Sequence, residues 1–151
     1  MNFEAYASPT PPRPVFREIF AGRARLCRAM QAAGWLTLEA VECYPGGVYR
    51  AAHDILRKEV EQWIRSDLML GAFVYWHFGI DCSSWSLINI NLNGGTRCRS
   101  SPFGDGSLAR EAQGNALAAV TLRLIELIHK AGGWWSVENL LVACFGCILV
   151  F

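Results

Sequence analysis

The chain has 151 residues, which is enough for one domain of ordinary size but not for two. Hydrophobic residues make up 52% of it and aromatic residues 12%, so the composition allows a buried core and excludes disorder over the whole length. The formal net charge is only +1, which argues against a protein whose whole surface grips a nucleic-acid backbone. Phosphate contacts are therefore expected from a local patch or from sequence outside this chain.

The 6 cysteines are scattered, and no apolar signal segment precedes them. We interpret them as reduced thiols of an intracellular protein, nuclear in a eukaryote and not secreted. Cys144 and Cys147 have no second pair or histidine cluster beside them, so no metal site is expected. The apolar run 140–151 is shorter than the ~20 residues of a membrane span, so no membrane partner is expected.

Composition divides the chain into a Pro-rich leader expected to be disordered (1–14), a folded domain (15–140) and an apolar tail that does not resemble its native continuation (141–151). Apolar runs predict strands at Val15–Phe20, Leu36–Cys43, Phe73–Gly79 and Trp134–Val137. Helical spacing predicts helices at Arg23–Ala33, from Ile55 onward, and at Ala109–Lys130. The buried stripe of the last helix is predicted to be Ala116, Val120, Leu124, Leu127 and Ile128.

Strands that alternate with helices predict an α/β, Rossmann-like, mostly parallel sheet with flanking helices. Ligands bind such a sheet at the carboxyl ends of its strands. The turn Phe20-Ala21-Gly22 ends the first strand, and its glycine would let a ligand approach the backbone. Glu42 follows about twenty positions later and is placed to accept hydrogen bonds from a ribose, with Glu39 as the competing acid.

Three further segments carry candidate chemistry after extended stretches. Asp54, which Ile55 follows, would either bind an adenine amino group or cap the next helix. Cys82 lies in a polar turn directly after an aromatic strand, where a nucleophile is more plausible than an inert core thiol. Glu138 and Asn139 follow the last strand and offer a carboxyl group with an amide beside it. The loop 80–107, which contains the cysteine, is long enough to indicate a functional role.

Five segments, in this order, resemble motifs of the cytosine-5 DNA methyltransferases. They are Phe16–Gly22, Glu42, Asp54-Ile55, Cys82 within Asp-Cys-Ser-Ser-Trp-Ser, and Glu138-Asn139-Leu140. The resemblance implies S-adenosylmethionine as the cofactor, bound by Phe20, Gly22, Glu42, Asp54 and Ile55. It also implies that the Cys82 thiolate adds to carbon 6 of a flipped-out cytosine while Glu138, beside Asn139, hydrogen-bonds the ring nitrogen. Carbon 5 is then methylated and the thiolate is eliminated.

The chain departs from the family pattern at several points. Ala24 and Arg25 replace two glycines of the first motif, and Asp81 and Ser83 replace the proline and glutamine that flank the cysteine. A carboxylate at position 81 is expected to raise the pKa of the Cys82 thiol. The family's target-recognition region does not appear. We therefore expect a sheet truncated before its C-terminal strands, a degenerate copy of the kind found in mobile-element proteins, and a missing region or partner chain that supplies the rest.

Nucleic-acid contacts are predicted for Ser84, Arg97, Arg99 and Arg110, in and after the cysteine loop. A solvated basic loop is the competing interpretation of the arginines. DNA is the substrate that the resemblance implies, and RNA stays open because the discriminating region is missing. Whether the chain is catalytically active also stays open.

Two other functions compete with methyl transfer. One is a non-catalytic module that binds S-adenosylmethionine or nucleic acid. The other is a cysteine hydrolase that uses Cys82 with His77 or His129, although both histidines are expected to be structural.

Overall fold

The computed structural model of the chain describes residues 13–70, 73–81 and 83–138. The strands are β1 (Val15–Ile19), β2 (Leu36–Thr37), β3 (Val74–Phe78) and β4 (Trp134–Val137). The α-helices are α1 (Arg25–Ala32), α2 (Lys58–Arg65), α3 (Leu87–Asn91) and α4 (Ala109–Lys130). All strand pairs are parallel, in the order β2-β1-β3-β4. The predicted α/β, Rossmann-like parallel sheet with flanking helices is therefore confirmed.

The hydrophobic core lies on one face of the sheet, under α2 and α4. Alternate residues of β1 and β3 form this face, and Ile19, Trp76 and Phe78 are fully buried there. The helices contribute Val60, Ile64, Val120, Leu124, Ile125 and Ile128. On the opposite face α1 packs beside β1 and β2. Packing on both faces explains why all five residues of β1 are buried.

The order of the strands reverses at β1, because β2 lies on one side of it and β3 on the other. Ligands of doubly wound sheets bind at such a switch point. The carboxyl ends of β1 and β3 approach closely there, since the Gly79 amide donates to the Ile19 carbonyl at 2.9 Å. A Cβ atom on Gly79 would lie 3.1 Å from the Phe20 carbonyl oxygen, so glycine permits this approach.

The predicted second strand is much shorter than expected. Only Leu36–Thr37 pairs continuously with β1, and the contact resumes at a single bridge between Val41 and Ile19. The intervening segment leaves the ladder where the Glu39 carbonyl accepts a hydrogen bond from Arg17 Nη1 at 2.6 Å. A buried guanidinium thus interrupts a strand that the hydrophobic pattern alone would have continued to Cys43.

The helix predicted from Ile55 begins instead at Lys58. The Asp54 carboxylate accepts from the Leu56 amide at 3.0 Å, and the Asp54 carbonyl accepts from the Arg57 amide at 2.9 Å. These bonds close a turn ahead of the helix. Prediction and structure therefore differ by three residues at this end because an aspartate turn precedes the first helical residue.

The last helix and strand have the predicted bounds, Ala109–Lys130 and Trp134–Val137. The predicted stripe holds for Val120, Leu124 and Ile128, which are buried. It is wrong for Ala116, which is exposed, and Leu127 is only half-buried. The other buried residues of the helix are Glu111, Gly114, Thr121 and Ile125. Its first turns pack against the loop that follows β3 rather than against the sheet, which explains the shifted stripe.

The loop after β3 contains short helical elements, a 3₁₀ turn at Ser83–Trp85 and then α3. None of the helices within 13–70, 73–81 and 83–138 is both long and apolar enough to cross a membrane. The predicted leader, apart from residues 13 and 14, and the predicted tail lie outside the described residues. The assignment of these segments stays a prediction.

Candidate functional site

The turn after β1 has an unusual backbone. Phe20, Gly22 and Ala24 have φ values of 61°, 52° and 49°, all in the left-handed region. Glycine adopts this conformation freely, whereas each of the other two stores strain of about 1–3 kcal/mol. A Cβ atom on Gly22 would meet nothing within 4 Å, so the backbone at this turn is open to an approaching group. Strain and open space coincide at the switch point.

Glu42 lies against this turn. Its Oε2 accepts from the Gly22 amide at 2.8 Å, and its Oε1 accepts from the Tyr44 amide at 2.9 Å. The competing acid, Glu39, points elsewhere and pairs with His53 Nε2 at 3.1 Å. Of the two acids that the sequence offered, the structure brings Glu42 to the glycine. Its proposed contact with a ribose stays a prediction.

His53 connects the two acids and was not predicted as a site residue. The imidazole is buried, with Nδ1 accepting from the Glu42 amide at 3.4 Å and Nε2 facing Glu39. The ring therefore fixes the backbone from which the Glu42 carboxylate projects. Its position directly before Asp54, in a turn already singled out, was the available sequence signal.

Asp54 and Ile55 differ in how accessible they are. The Asp54 carboxylate accepts from the Tyr49 hydroxyl at 2.7 Å, besides the Leu56 amide, so it both caps the turn and faces an exposed phenol. The hydrogen bond to Asp54 raises the pKa of Tyr49. Ile55 is only 3% exposed and belongs to the core cluster. Its side chain packs in the core beneath the turn, so the predicted cofactor contact of Ile55 would involve its backbone and stays a prediction.

The candidate nucleophile Cys82 and the amide of Asn139 lie outside the described residues. Asp81 and Ser83, the neighbours of Cys82 in sequence, lie just beyond the carboxyl end of β3. The Asp81 carboxylate accepts from the Ser83 amide at 2.8 Å and from its hydroxyl at 3.1 Å. Asp81 thus closes the turn, a structural role that the proline of the family motif cannot perform in this way.

Glu138 follows β4 on the same edge. Its amide donates to the Phe78 carbonyl at 2.8 Å, which extends the sheet by one bond, and its side chain is 79% exposed. The Glu138 Oε2 lies 3.9 Å from His77 Nε2. His77 Nδ1 is 2.7 Å from the Ser136 hydroxyl, and burial lowers the pKa of the imidazole.

Two of the predicted nucleic-acid contacts are inside the protein. Arg97 is 2% exposed and donates to the carbonyls of Ser84, Pro102 and Glu111 at 3.1, 2.6 and 3.0 Å. The guanidinium also stacks on the Trp85 ring, and burial lowers its pKa. Ser84 is buried beneath it at 4% exposure. Phosphate binding by Arg97 or Ser84 is thus contradicted, because protein acceptors already surround the guanidinium.

The other two predicted contacts are at the surface. Arg99 is exposed, and Arg110 is exposed while one of its nitrogens donates to the Asn93 carbonyl at 2.6 Å. Both stay available to an anionic partner. Among the described residues no cluster of three or more histidine, cysteine or acidic side chains is placed to hold a metal ion.

The two described grooves lie beside the candidate site rather than in it. One, of about 350 Å³, is lined by Ala51, Ala52, Arg57, Glu59, Val60 and Trp63, next to the Asp54 turn. The other, of about 140 Å³, lies where β3 and β4 begin, at the opposite edge of the sheet.

Comparison with protein-family models, curated proteins and solved structures found no match to this chain. The resemblance to cytosine-5 DNA methyltransferases therefore rests on the sequence motifs alone.

Proposed function

We propose that this chain is a methyltransferase domain, which transfers a methyl group from S-adenosylmethionine to carbon 5 of cytosine in nucleic acid through a Cys82 adduct. The observation that carries the proposal is the contact between Glu42 and the Gly22 amide at the switch point of a parallel sheet. Nucleoside cofactors of doubly wound folds bind there, with an acid near the ribose.

The residues present fit a nucleoside cofactor. Glu42 is a carboxylate with two acceptor oxygens, and it now accepts from two backbone amides for which ribose hydroxyls can substitute. The space over Gly22 is open. Asp54 would take the adenine amino group in place of the exposed Tyr49 hydroxyl. The cofactor supplies an electrophilic methyl group, and these residues bind and orient it.

The second half of the proposed site lies beyond β3 and β4. Cys82 would add to carbon 6 of the pyrimidine. Glu138, as a carboxylic acid, would donate a hydrogen bond to the ring nitrogen and stabilise the negative charge that the addition places there. The thiolate leaves again once carbon 5 has been methylated and has lost its proton to solvent. The base must be flipped out, because carbon 6 cannot be reached inside a stack.

The surface arginines Arg99 and Arg110 are the local candidates for phosphate contacts. DNA is the proposed substrate, with RNA as the variant to test beside it, and an intracellular, nuclear location in a eukaryote would follow. Target recognition would come from a region outside the described residues or from a partner chain.

A non-catalytic module that binds S-adenosylmethionine or nucleic acid is the second candidate, and two observations favour it. Ala24 is in the left-handed region in place of a family glycine, and Asp81 rather than proline precedes the cysteine. A cysteine hydrolase is disfavoured, because His129 is near the end of α4, just before β4 begins at the opposite edge of the sheet. His77 is in β3 and turned towards Ser136.

Calorimetric titration with S-adenosylmethionine and S-adenosylhomocysteine tests the proposal. We expect saturable binding that Glu42→Ala weakens about 10- to 100-fold, the value of a hydrogen bond to a charged group. Glu39→Ala should weaken it at most a few-fold, and Cys82→Ala should leave it unchanged. The exposed Glu126→Ala on α4 is the matched control. A folded chain that binds neither ligand, or equal losses with Glu42→Ala and Glu126→Ala, would contradict the cofactor site.

Methyl transfer to cytosine-containing DNA and RNA is the second measurement. Binding without transfer, with Cys82→Ser indistinguishable from the wild type, would decide for the non-catalytic module.

A further inference from the structure

A row of polar side chains crosses β3 and β4 on the face opposite the core. The Tyr75 hydroxyl lies 2.9 Å from Ser136 Oγ, and Ser136 Oγ lies 2.7 Å from His77 Nδ1. His77 Nε2 then lies 3.9 Å from Glu138 Oε2. The row therefore runs from Tyr75, near the start of β3, to the exposed carboxyl group proposed to contact the pyrimidine ring.

The row has a preferred direction of hydrogen bonding. Because a phenol is a better donor than an aliphatic hydroxyl, we assign Tyr75 as the donor to Ser136 and Ser136 as the donor to His77 Nδ1. Burial disfavours the imidazolium, although the carboxylates of Glu18 on β1 and Glu138 after β4 face the ring and oppose this effect. A neutral ring that accepts at Nδ1 carries its proton on Nε2, the nitrogen that faces Glu138.

We propose that His77 is a positioning residue that holds the carboxyl group of Glu138 at the edge of the sheet. The Nε2–H of His77 donates to Oε2 of Glu138 and leaves Oε1, which carries the proton of the carboxylic acid, to donate to the pyrimidine ring nitrogen. The present 3.9 Å separation exceeds a hydrogen bond, and the contact closes when a base occupies the site, as catalytic hydrogen bonds commonly tighten in the complex. This inference rests on the proposed function, because the substrate group that it serves belongs to that function.

The layout explains why polar residues occupy a half-buried sheet face. His77 and Ser136 are directly paired across β3 and β4, and Glu138 comes two residues after Ser136 on the same face. Two-residue periodicity thus places the serine against Nδ1 and the glutamate beside Nε2. Tyr75, two residues before His77 on β3, completes the row through the contact of its hydroxyl with Ser136.

The first test uses the protein without ligands. Nitrogen-15 NMR of the histidine rings should show the Nε2–H form of His77 above its pKa, and Ser136→Ala should weaken that preference. Glu138→Gln removes a facing carboxylate that raises the His77 pKa, so this pKa should fall. His129, remote from the row, is the internal control. An Nδ1–H ring in the wild type, or a His77 titration that Glu138→Gln leaves unchanged, would overturn the proposal.

The second test measures methyl transfer in a single turnover. The Gln amide nitrogen reaches about as far as Nε2, so His77→Gln should keep the rate within a few-fold, whereas His77→Asn can reach only Ser136 and should lose about 10- to 100-fold. Affinity for S-adenosylmethionine should stay unchanged in both variants. Equal losses in both variants would assign His77 a merely structural role. If the wild type transfers no methyl group, the proposed function fails, and the NMR titration alone decides whether His77 holds Glu138.

Discussion

The two halves of the candidate site use their polar side chains differently. Around the β1 turn, Glu42 and Asp54 are partly accessible and bind backbone amides or an exposed phenol, partners that a ligand can replace. Arg97, in the loop after β3, and Glu111, in the first turn of α4, are buried and bind the protein itself. The side chains around the β1 turn can therefore exchange their hydrogen-bond partners for a ligand, whereas Arg97 and Glu111 keep their partners within the protein.

This contrast shows that a basic residue in a loop beside an active site is not by itself a phosphate ligand. Arg97 and Arg99 are two residues apart in one short segment, yet Arg97 is buried and Arg99 is exposed. The buried Arg97 joins the turn after Cys82 to α4, through Ser84 on one side and Glu111 on the other. Arg97 would therefore shape the proposed nucleophile loop instead of binding the substrate.

The largest expected effect is the difference in stability between variants of these two arginines. Arg97→Ala should lower the free energy of unfolding by about 3 kcal/mol or more, because it leaves several buried carbonyl groups without a donor. Arg99→Ala, the matched control, should change it by less than about 0.5 kcal/mol. Urea unfolding followed by circular dichroism measures both. Similar values for the two variants would remove the distinction between buried and exposed arginines on which the comparison rests.

A smaller loss is expected where the same loop meets α4. A Cβ atom on Gly114 would overlap Ser84 Oγ and press on the Trp85 ring at 3.2 Å. Gly114→Ala should therefore destabilise the protein by about 1–3 kcal/mol, although alanine normally stabilises a helix by up to about 1 kcal/mol. Unfolding of Gly114→Ala and Ala118→Gly measures the difference. A more stable Gly114→Ala variant would show that the loop does not pack on the helix as described.

The reactivity of the cysteines extends the comparison of buried and exposed side chains to the surface of the loop after β3. Hydrogen bonding by Ser100 lowers the pKa of the exposed Cys98, whereas burial raises those of Cys27 and Cys43. Because the thiolate is the reactive form, Cys98 should be alkylated before Cys27 and Cys43 at neutral pH. Peptide mass mapping after brief iodoacetamide treatment measures the order. Ser100→Ala should slow the alkylation of Cys98. Faster labelling of Cys27 or Cys43 than of Cys98 would contradict the prediction.

Sequence predicted the fold well where a single physical signal dominated. α4 and β4 have the predicted bounds because a long helical period and a Gly132-Gly133 turn delimit them. The predicted end of β2 was too late because the carbonyl that interrupts the strand binds Arg17, a residue on another strand. Tertiary hydrogen bonds of this kind leave no periodic trace in the chain.

The same limit applies to the candidate site, which could be predicted only in part. The approach of Glu42 to Gly22 could be predicted because their separation along the chain reflects strand and helix lengths, which a sequence does show. His53 was missed and Arg97 was misassigned, because burial decided both roles. A histidine that holds a backbone amide and an arginine that holds three carbonyls look, in sequence, like any other polar residue of a loop.

The smallest expected effect concerns the exchangeable half of the site. The neutral Tyr49 phenol donates to Asp54, so its raised pKa means a contribution to stability that is present below the ordinary tyrosine pKa and lost as pH rises through the folded value. Asp54→Asn should move the Tyr49 pKa down, measured as the phenolate absorbance that Tyr49→Phe removes. Saturation with S-adenosylmethionine should do the same if adenine takes Asp54 from the phenol. A ligand that binds without moving the Tyr49 titration would leave Asp54 as a turn cap, and the exchange of partners would then belong to Glu42.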